Sequence, residues 1–147
     1  MHRFKIAILA PFLLLFLVIG TNHPAFDGSV MHARLGGSTL SLEVADTQAL
    51  RTRGLSGHKP LTKDEGMLFA FPIDGRYGFW MKEMLFPIDI VWLDKNYSIV
   101  DVAGHATPDS YPKIFLPNEK SRYVVELPVN YFLDHGLARG DSLEILP

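Results

Sequence analysis

Apolar and polar residues alternate along short stretches of the chain. In "TLSLEVA" every second residue is leucine or valine, and the residues between them are small or charged. A period of two is typical of a strand with one buried face. The preceding stretch "VMHARL" is separated from it by Gly36 and Gly37. A glycine pair between two short runs predicts a β-hairpin.

Other apolar runs predict further strands. "GMLFAF", which stops at Pro72, and "YGFWM" are short enough to be buried strands. "IDIVWL" and "SIVDVAG" flank residues 94–97, a polar tip that predicts a second hairpin. "YVVEL" and the final "DSLEIL" have the same character. The chain therefore contains seven or eight predicted short strands.

Two stretches predict short helices instead. "TQALRTRGL" follows Asp46 and begins with Thr47, both good N-cap residues, and Gly54 is expected to end the helix. "VNYFLDHG" is a second short helix that ends at Gly136. Together these elements predict an α+β, mostly β fold, with a strongly curved sheet or small barrel of seven to eight short strands and two short helices.

The N-terminus has a different pattern. Arg3 and Lys5 precede fifteen residues without a charge, "IAILAPFLLLFLVIG". A basic start followed by an apolar run of this length predicts a secretory signal, and the run is shorter than the ~20 residues of a typical membrane span. We expect residues 1–25 to be a signal peptide or an uncleaved membrane anchor, and residues 26–147 to be a single compact β-rich domain. The domain is then exported, periplasmic or extracellular, and meets the membrane only through its N-terminal segment.

Composition limits the kinds of functional site that the chain can contain. The chain has 147 residues, a net charge of −2 and no cysteine. The absence of cysteine excludes disulfides and thiolate nucleophiles, and the charge gives no sign of a nucleic-acid partner. The six histidines lack the spacing of a metal-binding motif, and neither a nucleophile-elbow nor a phosphate-loop motif occurs. We therefore expect no metal and no cofactor.

The stretch "GFWMKEMLFPIDIVWLD" offers the first candidate binding residues. If residues 78–82 form a strand, Phe79 and Met81 share one face, while Trp80 and Lys82 share the other. An outward tryptophan beside a lysine suits a ligand with a carboxylate or a sugar ring, such as a small molecule or glycan.

Two acidic residues are the next candidates. Asp89 and Glu126 each share a predicted strand face with apolar residues, and a buried carboxylate is costly unless it is paired or hydrogen-bonded. Arg53 and Arg122 are the expected partners. The four side chains form either structural ion pairs or a functional polar pocket.

Two functions follow from these candidates. The first is a binding module of the cell envelope that recognises a small molecule, a glycan or a partner protein through Trp80, Lys82, Asp89 and the two arginines. The alternative is an acid–base hydrolase of envelope material, with Asp89 and Glu126, or His105, as its catalytic groups. Paired carboxylates at the separation found in glycosidases would support the alternative.

Four blocks also occur in a familiar order: "RTRGLSGHKPLTKDEGMLFAFP", "FWMKEMLFPIDIVWLD", "RYVVELP" and "HGLARGDSL". With these blocks the chain resembles the exported-protein family known as domain of unknown function 192, over roughly residues 40–146. The resemblance implies a fold and an exported address but no activity. The chain departs from the family pattern at Glu83-Met84 and at residues 56–58.

Overall fold

The computed structural model describes residues 28–147, which form one seven-stranded sheet and two short α-helices. The strands are β1 (Val30–Leu35), β2 (Ser38–Ala45), β3 (Glu65–Gly75), β4 (Ile88–Leu93), β5 (Ile99–Ala106), β6 (Ser121–Pro128) and β7 (Glu144–Ile145). The helices are α1 (Gln48–Arg53) and α2 (Tyr131–Asp134), with a 3-10 turn at Pro108–Ser110. The sheet curls into a half-barrel, so the predicted fold class is confirmed.

The strands lie in the order β5-β4-β6-β3-β2-β1-β7. Neighbouring strands are antiparallel except β2 and β3, which are parallel. A parallel pair cannot be joined by a tight hairpin, so its connection must cross over the sheet. That connection contains α1, which packs through Leu50 against one face of the sheet.

The register of β4 and β6 divides the candidate acids between two faces. Asp89 lies opposite Leu127, and Ile90 lies opposite Glu126. Directly opposite residues share a face, whereas successive residues of one strand point to opposite faces. Asp89 and Glu126 therefore project from opposite sides of the sheet.

Each face has its own buried cluster. The Asp89 face includes Val91, Leu93 and Leu127 and is covered by Tyr131 of α2. The Glu126 face is covered by α1 and by residues 76–87, and its largest buried side chains are Phe69, Met67, Met81, Ile90 and Trp92.

One predicted strand exists but extends further than expected, and another is absent. β3 does not stop at Pro72 but continues to Gly75, with a register shift after Ala70. Pro72 has no N–H group to donate, and it lies where the pairing of β3 with β6 is irregular, so no regular hydrogen bond is needed from it. The stretch "YGFWM" is not a strand, since its only bridge joins Phe79 to Phe115 among the described residues. Its apolar side chains reach the core from a loop.

The C-terminal residues contact both β1 and the beginning of β5. Ala33 of β1 pairs with Ile145 of β7. Just before β7, the Leu143 N–H donates to the carbonyl of Tyr97 at 3.0 Å, and Ser98 bridges to Ser142. The Ile99 N–H also donates to the Asp141 carbonyl at 2.8 Å, so residues 141–145 contact both β1 and the start of β5.

Within residues 28–147, no helix has the length and apolar character needed to cross a membrane. The predicted signal peptide or anchor, residues 1–25, lies outside the described residues.

Candidate functional site

A cavity of about 330 Å³ opens on the Glu126 face of the sheet, between α1 and the loop that carries Trp80. Its walls come from three parts of the fold. They are Gln48, Arg51, Thr52, Arg53, Gly54, Leu55 and Ser56 of α1 and its end, Phe69, Phe71 and Glu126 of the sheet, and Tyr77, Gly78, Phe79, Trp80 and Met84 of the loop.

Glu126 is the one acidic residue among these described lining residues. Its side chain is buried at 4% exposure, and its Oε2 atom has no hydrogen-bond partner within the described part of the chain. Burial away from water raises the pKa of Glu126 to about 8. The group is therefore mostly a neutral carboxylic acid at pH 7, able both to donate and to accept a hydrogen bond.

Aromatic side chains form much of the cavity wall. Phe69 and Phe79 meet edge to face with ring centroids 4.8 Å apart. Trp80 lies at the rim with 51% of its surface exposed, and its ring is 6.1 Å from that of Tyr111. The cavity thus has an apolar interior beside a half-exposed tryptophan.

The α1 wall is polar. Gln48, Arg51 and Thr52 are three and four residues apart, which places them on one side of the helix. The Arg51 guanidinium is held in place, because its Nη1 donates to the carbonyl of Ala70 at 2.8 Å and its Cζ lies 5.3 Å from the centre of the Phe71 ring.

The structure brings three of the predicted site residues together. Trp80, Arg53 and Glu126 all line the cavity. Lys82 lies just beyond the rim, with its Nζ 6.0 Å from the centre of the Trp80 ring. Its carbonyl accepts a hydrogen bond from the Ser56 hydroxyl at 3.0 Å, which joins the loop to the end of α1.

Arg122 has a different partner from the one expected. Its Nε donates to the Asp74 carboxylate at 2.8 Å. The expectation that Arg122 pairs with Asp89 or Glu126 is therefore wrong. The reason is topological, since Arg122 opens β6 beside the end of β3, where Asp74 lies.

Asp89 is 1% exposed and accepts backbone N–H groups from His105 at 2.9 Å, Asn130 at 3.1 Å and Phe132 at 3.0 Å. The prediction that Asp89 is buried and hydrogen-bonded is confirmed. Its donors fix the connection between β5 and α2. Since Asp89 and Glu126 point to opposite faces, they do not form the carboxylate pair of the hydrolase alternative.

His105 lies on the Asp89 face, away from the Glu126 cavity. Its Nδ1 is 3.3 Å from the Asn130 side-chain oxygen, and both residues line a second cavity of about 290 Å³ together with Leu133. Across residues 28–147, no three histidine, aspartate or glutamate side chains converge in a way that could hold a metal ion.

The sequence reasoning missed several cavity residues, namely Gln48, Arg51, Phe71 and Tyr77. Gln48 and Arg51 could have been found from the sequence, since helical spacing places them on one side of α1. Phe71 and Tyr77 could not, because their contact with α1 depends on the β2-α1-β3 crossover.

Comparison with known proteins identifies the family of the chain. The model of the family DUF192, described as "Uncharacterized ACR", matches residues 31–145. The chain belongs to the DUF192 family. Its membership confirms the resemblance stated from the sequence blocks.

Two archaeal proteins are similar to this DUF192 chain. A UPF0127 protein of Thermococcus gammatolerans is 33% identical over 104 residues, which cover 69% of this chain and 64% of that protein. A UPF0127 protein of Pyrococcus horikoshii is 32% identical over 92 residues, 59% of this chain and 71% of that protein. The DUF192 chain thus spans less than two thirds of the length of the Thermococcus relative.

Two crystal structures share the fold. A candidate transcription regulator from Sinorhizobium meliloti superposes with a TM-score of 0.75 at 28% identity, over 80% of the DUF192 chain and 95% of that protein. A protein of unknown function from Novosphingobium aromaticivorans gives a TM-score of 0.77 at 23% identity, over 83% and 89% of the two chains. The second likeness concerns the fold alone.

Proposed function

We propose that this domain is a binding module that takes a small, partly apolar ligand into the Glu126 cavity. The observation that carries the proposal is the Glu126 carboxyl group, which is buried and open to an aromatic-lined cavity and has an oxygen without a partner in the described residues. A buried polar group without a partner costs free energy, and a ligand that bonds to it would recover that cost.

The size and lining of the cavity suit this role. A volume of about 330 Å³ is at the lower end of small-molecule sites, which are mostly apolar and have a few placed polar groups. Glu126 supplies such a group at the sheet, and Trp80 supplies an exposed aromatic surface at the rim.

Binding is favoured over hydrolysis by paired carboxylates. Retaining and inverting glycosidases place a second carboxyl group within about 5–10 Å across open space. No second acid lines this cavity among the described residues, and Asp89 lies on the other face.

The proposed place of action is the cell envelope. The basic start and the fifteen-residue apolar run support export, with a small molecule, a glycan or an envelope protein as the bound partner. Transcription regulation, the role given for the Sinorhizobium protein, is disfavoured for this chain. Its net charge of −2 is unlike the basic balance of nucleic-acid-binding domains.

A cavity-blocking variant tests the proposal. Thr52 is an exposed lining residue of α1, so Thr52→Trp should fill the mouth and leave the core intact. Ala49→Trp is the matched control, because Ala49 is exposed on the same helix but does not line the cavity. The full chain is titrated with phenethyl alcohol, phenylacetate and phenethylamine by ligand-observed NMR.

We expect at least one of the three compounds to bind the parent and the Ala49→Trp variant but not Thr52→Trp. If none of them binds, or if Thr52→Trp binds as the parent does, the Glu126 cavity is not a ligand site and the proposal fails.

A further inference from the structure

We propose that the Glu126 cavity selects small organic anions, with a carboxylate against the Arg51 wall of α1 and an aromatic or branched apolar body against the phenylalanines. This inference deepens the proposed function and rests on it. Four features of the cavity support this ligand class: the charge of its lining, the Arg51 guanidinium, its apolar interior, and the cations that already lie over two of its rings.

The ionisable groups that face the cavity carry a positive balance. Arg51 and Arg53 line the wall formed by α1, Glu126 lines the wall formed by the sheet, and Tyr77 lines the wall formed by the loop. The Tyr77 hydroxyl is already used as a donor to the Ile73 carbonyl at 2.6 Å. Because burial raises the pKa of Glu126 to about 8, its carboxyl group adds little negative charge at neutral pH.

Arg51 is positioned in advance to bind a carboxylate. Both of its contacts to backbone carbonyls, those of Asp46 and Ala70, are made by Nη1. A guanidinium has five N–H donors in a rigid fork, so these contacts leave donors for a planar acceptor. An arginine held by its neighbours loses little side-chain entropy when it binds, and charge-assisted bonds to carboxylates are among the stronger hydrogen bonds.

The interior requires an apolar body on the same ligand. Leu55, Phe69, Phe79 and Met84 give the cavity an apolar lining beside the arginines. If a water-sized group takes ~30 Å³, a volume of about 330 Å³ holds roughly ten non-hydrogen atoms. A single ring or branched chain with one carboxylate has this size. The neutral Glu126 carboxyl group can bond to a polar atom of that body without repelling the anion.

Cationic ligands are disfavoured by the same surfaces. An ammonium group in an aromatic site is normally held over a ring face. In this site the Arg51 guanidinium already lies over Phe71, and the Lys82 ammonium lies over Trp80. A ligand cation over either of these two rings would therefore meet a positive charge of the protein.

Three probes of matched size separate the ligand classes. Phenylacetate, phenethyl alcohol and phenethylamine share one ring and differ in charge. The full chain is titrated with each by calorimetry near neutral pH, at low and high salt. We expect phenylacetate to bind about tenfold or more tighter than the alcohol, as one charge-assisted contact allows, and the amine to bind weakest. Added salt should weaken the binding of phenylacetate alone.

Arginine variants test whether the ligand carboxylate binds to Arg51. Arg51→Gln should abolish the preference for phenylacetate, and Arg51→Lys, which keeps the charge but loses the fork, should retain part of it. Arg34→Gln is the control, because Arg34 lies on β1 and pairs with Glu144 outside the cavity. This control should bind all three probes as the parent does.

The outcomes distinguish the two proposals. If the alcohol or the amine binds the parent more tightly than phenylacetate, the anion inference is overturned while the cavity remains a ligand site. If no probe binds, the proposed function itself fails. If Arg51→Gln does not fold, the probe ranking and its salt dependence in the parent still decide the question.

Discussion

Asp89 and Glu126 carry buried carboxyl groups on adjacent strands, and the two groups differ in their hydrogen-bond partners. Asp89 accepts three backbone N–H groups, whereas the Oε2 atom of Glu126 has no partner in the described chain. The sequence shows that each acid shares a strand face with apolar residues. It does not show the donors to Asp89, because these are backbone groups of residues far along the chain.

The Glu126 environment predicts a stability that depends on pH. A folded-state pKa of about 8 against an ordinary value of 4.5 means that the folded protein keeps a proton that the unfolded chain has lost between these pH values. Stability should therefore fall as pH rises through this window, by at most ~1.4 kcal/mol per pH unit. Glu126→Gln has no such proton and should flatten the profile.

This prediction is checked by urea unfolding of the parent and of Glu126→Gln at several pH values between about 4.5 and 8. Glu83→Gln is the matched control, since Glu83 is an exposed residue that does not line the cavity. It should keep the slope of the parent. Equal slopes for the parent and Glu126→Gln would mean that Glu126 ionises normally in the folded state.

Asp89→Ala should destabilise the fold by roughly 3–5 kcal/mol, because it removes a buried carboxylate and leaves three backbone donors without their acceptor. Two of those donors belong to His105 and Asn130, which have positive φ angles of 56° and 68°. Such conformations are unfavourable for residues with side chains, and the bonds to Asp89 help to offset that cost. The free energy of unfolding in urea measures the effect, and a loss below about 1 kcal/mol would contradict it.

The two tryptophans should respond differently to truncation. Trp80→Ala removes a half-exposed ring and should cost about 1 kcal/mol or less. Trp92→Ala removes a fully buried ring whose Nε1 donates to the Tyr77 carbonyl, and should cost about 3–5 kcal/mol. Thermal melts of both variants test this. A Trp80→Ala melting temperature as low as that of Trp92→Ala would show that Trp80 supports the fold and is not merely a rim residue.

At the scale of elements, the alternating patterns predicted β2 and the β4-β5 hairpin because their periodicity reflects one local geometry. The prediction of a strand at "YGFWM" was wrong for a physical reason. The alternating burial of this stretch is real, since Met81 is buried and Trp80 and Lys82 are exposed, but a strand also needs a neighbour along its length. Only Phe79 has such a neighbour, at Phe115.

Helix α1 depends on its cap. The Thr47 hydroxyl accepts the Leu50 N–H at 3.2 Å, as expected of an N-cap residue. In a helix of six residues one cap is a large share of the local stability. We expect Thr47→Ala to cost ~1 kcal/mol and to weaken the binding of any ligand held by Arg51, because the same helix positions that side chain.

Thr52→Ala is the comparison for the cap, since Thr52 is an exposed residue inside the same helix and alanine is the better helix former. Urea unfolding of the two variants measures the difference. A Thr47→Ala protein as stable as Thr52→Ala would show that α1 is held by packing alone.

For the whole molecule, the fold class was predictable because many short strands and few helices allow few architectures. The cavity was not, since it forms where three separated segments meet. Glu126 was a candidate from its strand face alone, whereas its neighbours Arg51 and Tyr77 depend on how the β2-α1-β3 crossover packs.

Export is a prediction for the full chain. Arg3 and Lys5 before the apolar run should direct the protein across the cytoplasmic membrane. An alkaline phosphatase fused at the C-terminus, which is active only outside the cytoplasm, should therefore show activity. Replacing two leucines of the run by arginine should abolish that activity. A fusion that is inactive in both forms would contradict export.

The contact of residues 141–145 with β1 and with the start of β5 bears on self-association. An open sheet offers two rows of unpaired backbone groups on which another chain can assemble, and short capping strands are a known defence against it. Here a single short segment shields parts of both rows. Its detachment would expose both at once, so the solubility of the domain at high concentration would depend on residues 141–145 staying docked.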